Sequence, residues 1–296
     1  MESLSLEKLE NIIISYIYEI SWNQTWDGRA LPHDVFKSYL SHVEKLSNLF
    51  TVDRGQMGIR YFRKKENRIA YFLYFHLANM MRTRAIITEM KKRKVWPKQI
   101  DHVMDLGTGS GASIWAFGEE MSSIKDKPKS ILALDEDRAI LKDAEKLWTL
   151  YGQAREMDLP DLSCHKVDLL SLKGLEALHL KKKLDVIFCS NLVNEFSLIS
   201  ESGKISLFRY LVDSLLSDDG VLVIMEPASK EISRDLIQLR AMLLDCIDIH
   251  IPLPCSGTHA CPLVADREDW CHLIRPGTFL PSSTVWKKNC IAIALL

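Results

Sequence analysis

The stretch 102-HVMDLGTGSGASIWAF-117 decides how this chain of 296 residues is read. It opens as a short apolar strand whose last polar residue is Asp105, and Ala112 begins an apolar helical run. Between them Gly107, Gly109 and Gly111 alternate with Thr108 and Ser110. Glycines at this spacing let the backbone turn sharply and bring main-chain N–H groups against a ligand. The helix N-terminus that follows carries partial positive charge, which favours a carboxylate or a phosphate.

Beyond that turn the chain alternates between strand and helix signals, the pattern of a parallel α/β sheet. Strands are expected at Ile100–Asp105, Ser130–Asp135, Leu162–Val167, Leu184–Ser190 and Gly220–Glu226. Helices are expected at Ala112–Ser122, Asp137–Leu150, Leu172–His179, Lys204–Leu216 and Lys230–Asp245. Cys246–Pro252 is a candidate sixth strand and Thr284–Leu295 a terminal one. Before the turn the texture is helical instead. Leu6, Leu9, Ile13, Ile17 and Ile20 share one face of a helix over residues 4–20. Trp22, Trp26 and Gly28 read as a loop, and a second helix runs over His33–Leu49. A third, Glu66–Lys92, is closed by Pro97. The expected division is therefore a helical, basic region at 1–98 and an α/β domain at 99–296, interrupted by an insertion at about 252–283.

Hydrophobic residues make up 47% of the chain, enough for one sizeable core with an appendage. Net charge is -1, yet residues 54–98 alone hold thirteen Lys and Arg against Glu66 and Glu89. Such a block is either a solvated face or a contact surface for a polyanion. Arg82, Arg84, Lys91, Lys92, Arg93 and Lys94 are the candidate RNA contacts, with Tyr61, Phe62, Tyr71 and Tyr74 as core or base-stacking neighbours. No apolar run approaches a membrane span, so no membrane partner is expected. The N-terminal acids argue against a mitochondrial presequence, and the expectation is a cytoplasmic monomer.

Two ligands suit the glycine turn. Gly107, Gly109 and Ala112 satisfy the dinucleotide spacing G-x-G-x-x-G/A. D-x-G-x-G-x-G also resembles the first motif of class I S-adenosylmethionine-dependent methyltransferases. Asp105 tips the choice, because it would repel a pyrophosphate but can bind a methionine ammonium group. Asp135, at the end of the second strand, can accept from both ribose hydroxyls or cap the next helix. Asp168, after the third, can accept from an adenine amino group or serve only its turn. All three acids lie at the carboxyl ends of strands, where open α/β sheets bind ligands. The expected cofactor-binding set is Asp105, Gly107, Thr108, Gly109, Gly111, Asp135, Asp168, Ser190 and Asn191. Enzymes that methylate exocyclic amines commonly carry Asn/Asp-Pro-Pro-aromatic after the fourth strand. This chain has Ser190-Asn191-Leu192-Val193 there, leaving Asn191 and Glu195 as polar candidates for catalysis.

The cysteines carry a second signal. Cys255, Cys261 and Cys271 fall within seventeen residues, among Pro254, Gly257 and Pro262. Thiolates at that density bind zinc or an iron–sulfur cluster. PLPCSGTHACPL and DWCHL together resemble the PCPH, CP and WCHF signature of methyltransferase-like small-ribosomal-subunit assembly factors, a mitochondrial family with bacterial relatives. DLGTGSGASIWAF and LVIMEPAS are similar to their first motif and fifth strand, so the likeness covers roughly Tyr71 to Leu296. It implies a class I (Rossmann-like) methyltransferase fold that binds the small subunit and its rRNA, an S-adenosylmethionine site and a four-cysteine [4Fe–4S] cluster. Cys255, Cys261 and Cys271 match the first three ligands by motif. Cys290 is the later cysteine available as the fourth and matches no motif position. Zinc is the alternative metal. An active RNA methyltransferase and a zinc-stabilised small-molecule methyltransferase are the other readings of the same residues.

Overall fold

The computed structural model describes residues 4–28, 31–51, 61–121, 128–255, 261–266, 268–271, 273–274 and 290–295. Five strands lie parallel in the order β3 (Asp161–Lys166), β2 (Ser130–Asp135), β1 (His102–Leu106), β4 (Leu184–Ser190), β5 (Leu216–Pro227). β7 (Cys290–Leu295) then runs antiparallel to β5, and β6 (Leu273–Ile274) pairs antiparallel to β7. This order, with its reversed β7, is the Rossmann-like sheet of the class I methyltransferases. The central strands are near-continuous apolar runs because helices cover both faces. In β4, Val186 through Cys189 are fully buried.

On one face pack α1 (Leu6–Trp22), α3 (Lys65–Tyr71), α4 (Leu77–Lys92), α5 (Ala112–Glu120) and α6 (Arg138–Arg155). The other face carries α7 (Leu172–Glu176), α8 (Glu201–Arg209) and α9 (Lys230–Cys246). α2 (His33–Thr51) packs outside α3 through Val43 and Leu46. The boundary expected at residue 98 is not a boundary in packing. Ile86, Ile87 and Met90 of α4 share one core with Ile114, Trp115 and Phe117 of α5. A buried polar tie reinforces the join. Asp143 of α6 accepts from Tyr16 of α1 at 2.5 Å and from the Arg68 guanidinium at 2.6 Å.

The strands Ser130–Asp135 and Leu184–Ser190 stand where the sequence puts them. Other expectations need correction. Cys246–Pro252 is no strand: Cys246 ends α9, exposed, and the following residues are irregular. A short apolar run cannot by itself distinguish a strand from a covered loop. Trp22 closes α1 rather than lying in the loop. β5 starts at Leu216, so the helix before it is shorter than expected: α8 ends at Arg209, followed by a π-helical turn at Tyr210–Leu215. α7 stops at Glu176. Another π-helical turn, Phe72–His76, interrupts the long Lys65–Lys92 run between α3 and α4. Within the terminal strand expected at Thr284–Leu295, only Cys290–Leu295 lies among the described residues, as β7.

Candidate functional site

β1 has β2 on one side and β4 on the other, so the chain order reverses at its edge. The carboxyl end of such a strand is the topological switch point where doubly wound sheets bind ligands. The glycine turn sits there. Its three glycines have φ of 73°, 51° and 81°, the left-handed region that side chains avoid. Gly107 also faces Leu192, whose Cδ1 would lie 3.1 Å from an added Cβ. The turn is hung on β2, because the N–H groups of Gly107 and Thr108 both donate to the Leu134 carbonyl.

Beneath the turn, Asp105 is 1% exposed and accepts from the Thr108 hydroxyl at 2.7 Å. Its other oxygen is buried without a hydrogen-bond partner. Burial, with the nearby Asp135 charge, pushes the Asp105 carboxyl up to about 7, against the Thr108 bond. Asp135 ties two elements together: Oδ2 accepts from Gly109 N–H and Oδ1 from Asp137 N–H, both at 3.0 Å. Helix α6 is capped by Asp137, which accepts from Ala139 N–H. The capping alternative for Asp135 therefore passes to its neighbour. Burial raises Asp135 to about 6 despite both amide bonds. Asp168 is exposed and bound within its own turn, accepting from Leu170 N–H.

The end of β4 completes the arrangement. Ser190 Oγ lies 3.0 Å from Ser113 Oγ in the first turn of α5. Asn191 adopts φ 56° and donates its N–H to the Met225 carbonyl. In the 3-10 helix Val193–Leu198, Glu195 accepts from Tyr61 O–H at 3.2 Å. Burial first, then the Asp135 charge, lifts Glu195 to about 8, opposed by the Tyr61 bond. Three further groups build this site: Tyr71, read from the sequence only as a core or base-stacking residue, and Glu226 and His76, which sequence reasoning passed over. Tyr71 lies over Gly109, its hydroxyl 3.5 Å from an added Cβ, and receives a bond from Asn79. Glu226, 1% exposed at the end of β5, accepts from Val193 N–H at 2.7 Å and so anchors the segment carrying Glu195. Burial takes its carboxyl to about 8. His76 has Nδ1 2.7 Å from Ser110 Oγ within the turn, and burial drops its pKa to about 3, so it is neutral. The usable signal for Glu226 was an acid closing an otherwise apolar strand.

Raised carboxyl pKa values fix a sign. The folded state holds protons that the unfolded chain has lost above about pH 4, so their contribution to stability declines as pH rises towards 8. Glu195→Gln removes one such group. Its melting temperature relative to the native protein should climb between about pH 4 and pH 8 and level off above that. A difference independent of pH would show that Glu195 ionises normally.

Cys255 is exposed, and Cys261 and Cys271 are half-buried. Burial raises the Cys271 thiol, and Cys255 and Cys261 raise it further, so the three sulfurs lie within electrostatic reach of one another. Among the described residues, however, no three His, Cys, Asp or Glu side chains stand in a metal-binding arrangement. The sulfurs are neighbours without being a finished donor set. Of Cys290 only the backbone is described, at the start of β7. Flanking contacts tether the loop: Arg93 donates to the Pro252 and Pro254 carbonyls, Trp270 to Ala228, and Arg234 to Asp269.

The basic block is partly spent on internal contacts. Arg84 and Lys91 both bind Glu120, at 3.0 and 2.6 Å, and Arg82 donates to Asn79. Arg93 pairs with Glu89 while holding the cysteine loop. Lys92 and Lys94 are exposed.

The model of one family, mitochondrial small ribosomal subunit Rsm22, matches residues 65–278. The chain belongs to that family. The match begins at α3 and takes in the glycine turn, the whole parallel sheet and all three clustered cysteines. Residues 1–64, which supply Tyr61, lie outside it. No curated protein sequence matches the chain. Among solved structures, a precorrin-6y C5,15-methyltransferase from Geobacter metallireducens is 16% identical, covering 72% of this chain and 84% of that one, with TM-score 0.40. An S-adenosylmethionine-dependent methyltransferase from Clostridium acetobutylicum is 18% identical over 54% of each chain, TM-score 0.36. The rRNA methyltransferase aviRa from Streptomyces viridochromogenes is 17% identical over 50% of this chain and 75% of that one, TM-score 0.37. The chain spans about half the length of the Clostridium acetobutylicum methyltransferase. The fold assignment rests on the strand order, not on these overlaps.

Proposed function

We propose that this Rsm22-family chain is a small-ribosomal-subunit factor that retains an S-adenosylmethionine site, binds rRNA and holds an iron–sulfur cluster. The observation that carries the cofactor reading is the unpartnered, buried oxygen of Asp105 below a glycine turn whose N–H groups are held by Leu134 and Asp135. A methionine ammonium group would satisfy that oxygen. Each Asp135 oxygen already receives one amide and keeps lone pairs for a ribose hydroxyl. When bound, the cofactor would supply a sulfonium carrying a transferable methyl group. The chain's part is to orient it and to balance its charge with Asp105 and Asp135. Cys255, Cys261 and Cys271 would hold a [4Fe–4S] cluster, with Cys290 or a group from a partner as fourth ligand; zinc is the alternative. An active RNA methyltransferase is favoured as the second reading by one contact, the Tyr61–Glu195 bond at the acceptor side of the turn.

Calorimetry with S-adenosylmethionine in buffers of different ionisation enthalpy tests the cofactor reading. A cation favours ionised Asp105 and Asp135, so binding should release protons near pH 6 and weaken on the order of tenfold per pH unit below it. Binding without proton release would place the ligand away from these acids. RNA binding should fall with salt, and Lys92→Gln with Lys94→Gln should flatten the slope by about 0.7 per lost contact on a single strand. An unchanged slope would show that these lysines are merely solvated. Lack of any salt-dependent RNA binding would favour a small-molecule methyltransferase.

A further inference from the structure

Tyr71 closes α3 and reaches over the glycine turn. The three atoms nearest an added Gly109 Cβ all belong to its side chain, at 3.5 to 3.9 Å, so the ring roofs the turn without filling it. Phe75 stacks on that ring with centroids 5.3 Å apart, and Phe50 and Phe62 meet it edge-on, which fixes its direction. The hydroxyl has one polar neighbour, and the chain behind that neighbour fixes where the proton goes. Arg82 donates to Asn79 Oδ1 at 2.8 Å. A guanidinium can only donate, so the Asn79 carbonyl must face Arg82 and its amide nitrogen must face Tyr71. That nitrogen donates to the phenol oxygen at 3.3 Å and cannot accept from it. The Tyr71 O–H is therefore left without an acceptor among the described residues. Arg82, Asn79 and Tyr71 form a relay that ends in a donor, and the cation at its start strengthens that donor. Burial raises the hydroxyl's pKa against the Asn79 bond, so the proton stays in place. Asp135, Asp105 and Glu195 act on the same hydroxyl from the ends of β2 and β1 and from the segment after β4. Tyr71 thus hangs over the end of β1, between the strands that flank it.

We propose that Tyr71, polarised by Arg82 through Asn79, donates a hydrogen bond to the carboxylate of the cofactor's methionine moiety. This deepens the cofactor reading and rests on it. That reading gives the ligand's ammonium group to Asp105 and its ribose hydroxyls to Asp135, and both of these are donors on the ligand. They leave the Tyr71 donor unmatched. The carboxylate is the ligand's anionic acceptor, borne on the same carbon as the ammonium group. A lone anion such as an RNA phosphate is disfavoured here, because Asp105 and Asp135 would repel it. The methionine zwitterion brings its own cation to those acids. Arg82, expected from the sequence as an RNA contact, becomes part of the cofactor site instead.

The test is calorimetry on the full chain with S-adenosylmethionine and with its decarboxylated form, S-adenosyl-3-methylthiopropylamine, which differ in the carboxylate alone. Tyr71→Phe keeps the stacked ring and should keep the native melting temperature. It should weaken S-adenosylmethionine about ten- to a hundredfold, as loss of a hydrogen bond to a charged group does. The decarboxylated ligand should bind Tyr71→Phe and the native protein alike, within about twofold. Asn79→Asp replaces the donor facing Tyr71 with an acceptor that captures its proton, while Arg82 balances the added charge. It should give the same pattern. Native affinity of Tyr71→Phe for S-adenosylmethionine overturns the inference and leaves the cofactor reading standing. An equal loss with both ligands also overturns it, because the hydroxyl then serves the ribose or the adenine. A native protein that binds neither ligand overturns the inference together with the cofactor reading.

Discussion

Gly109→Arg should abolish S-adenosylmethionine binding while leaving the protein folded. Gly109 sits in the left-handed region at φ 51°, and its N–H is committed to Asp135. A Cβ alone would fit, since the nearest atom, the Tyr71 hydroxyl, would be 3.5 Å away. The longer side chain has no such room. It must displace Tyr71 or fill the space where ligand meets backbone. Affinity should fall more than about a thousandfold, beyond 4 kcal/mol at 1.4 kcal/mol per decade. The fold survives because the turn's anchors on Leu134 are main-chain bonds that the substitution does not touch. Gly109→Ala is the graded control: it incurs the left-handed backbone cost of roughly 1–2 kcal/mol and little else. Asp135→Ala should lose about ten- to a hundredfold, the worth of charge-assisted hydrogen bonds. Calorimetry that finds native affinity in Gly109→Arg, with an unchanged melting temperature, removes the cofactor reading of this turn.

The turn was legible because one short window holds its strand, its glycines and its helix. β2 and β4 were equally legible, as apolar runs that end at an acid or a serine. The rest of the site was not local. Tyr61 meets Glu195 across 134 positions, and Tyr16 meets Asp143 across 127. Neither pairing leaves a periodic trace, and tyrosines that build a site look the same as tyrosines that fill a core. The basic block misled in the opposite direction. Thirteen cations in one run suggest a single charged face, yet Arg84 and Lys91 turn to Glu120 on α5, and Arg93 turns to the cysteine loop. Charge density along a helix cannot show which cations a neighbouring acid will neutralise. The π-helical turn at Phe72–His76 was invisible for a similar reason. It carries Phe72 into the core and His76 to Ser110 of the glycine turn, a demand set by tertiary contacts.

Cys255→Ser, Cys261→Ser and Cys271→Ser should each empty the metal site and loosen the loop around it. Thiolate ligands must be gathered and deprotonated, so binding energy at such a site is also folding energy for the segment that supplies them. Residues 252–283 hold five prolines and few apolar runs, too little to order an insertion of that length unaided. The tethers from Arg93, Trp270 and Arg234 hold residues 252–254 and 269–270 against α4, the end of β5 and α9 but leave the sulfurs to be joined. Metal content of anaerobically prepared protein should fall from one site per chain to near zero in each variant, with faster protease cleavage at 252–283. The glycine turn should be unaffected, because it is anchored on β2. Cys164→Ser and Cys189→Ser are controls for packing: Cys189 is fully buried in β4, and a hydroxyl there destabilises without touching metal. Cys290→Ser discriminates between fourth ligands. Loss of metal equal to that of the other three assigns Cys290 to the site. Retention assigns the position to His259, His272 or a partner group. Iron with acid-labile sulfide identifies a cluster, and one zinc per chain identifies a structural zinc. Complete absence of metal, with the segment still protected from protease, would show that the three neighbouring thiols are held by the protein alone.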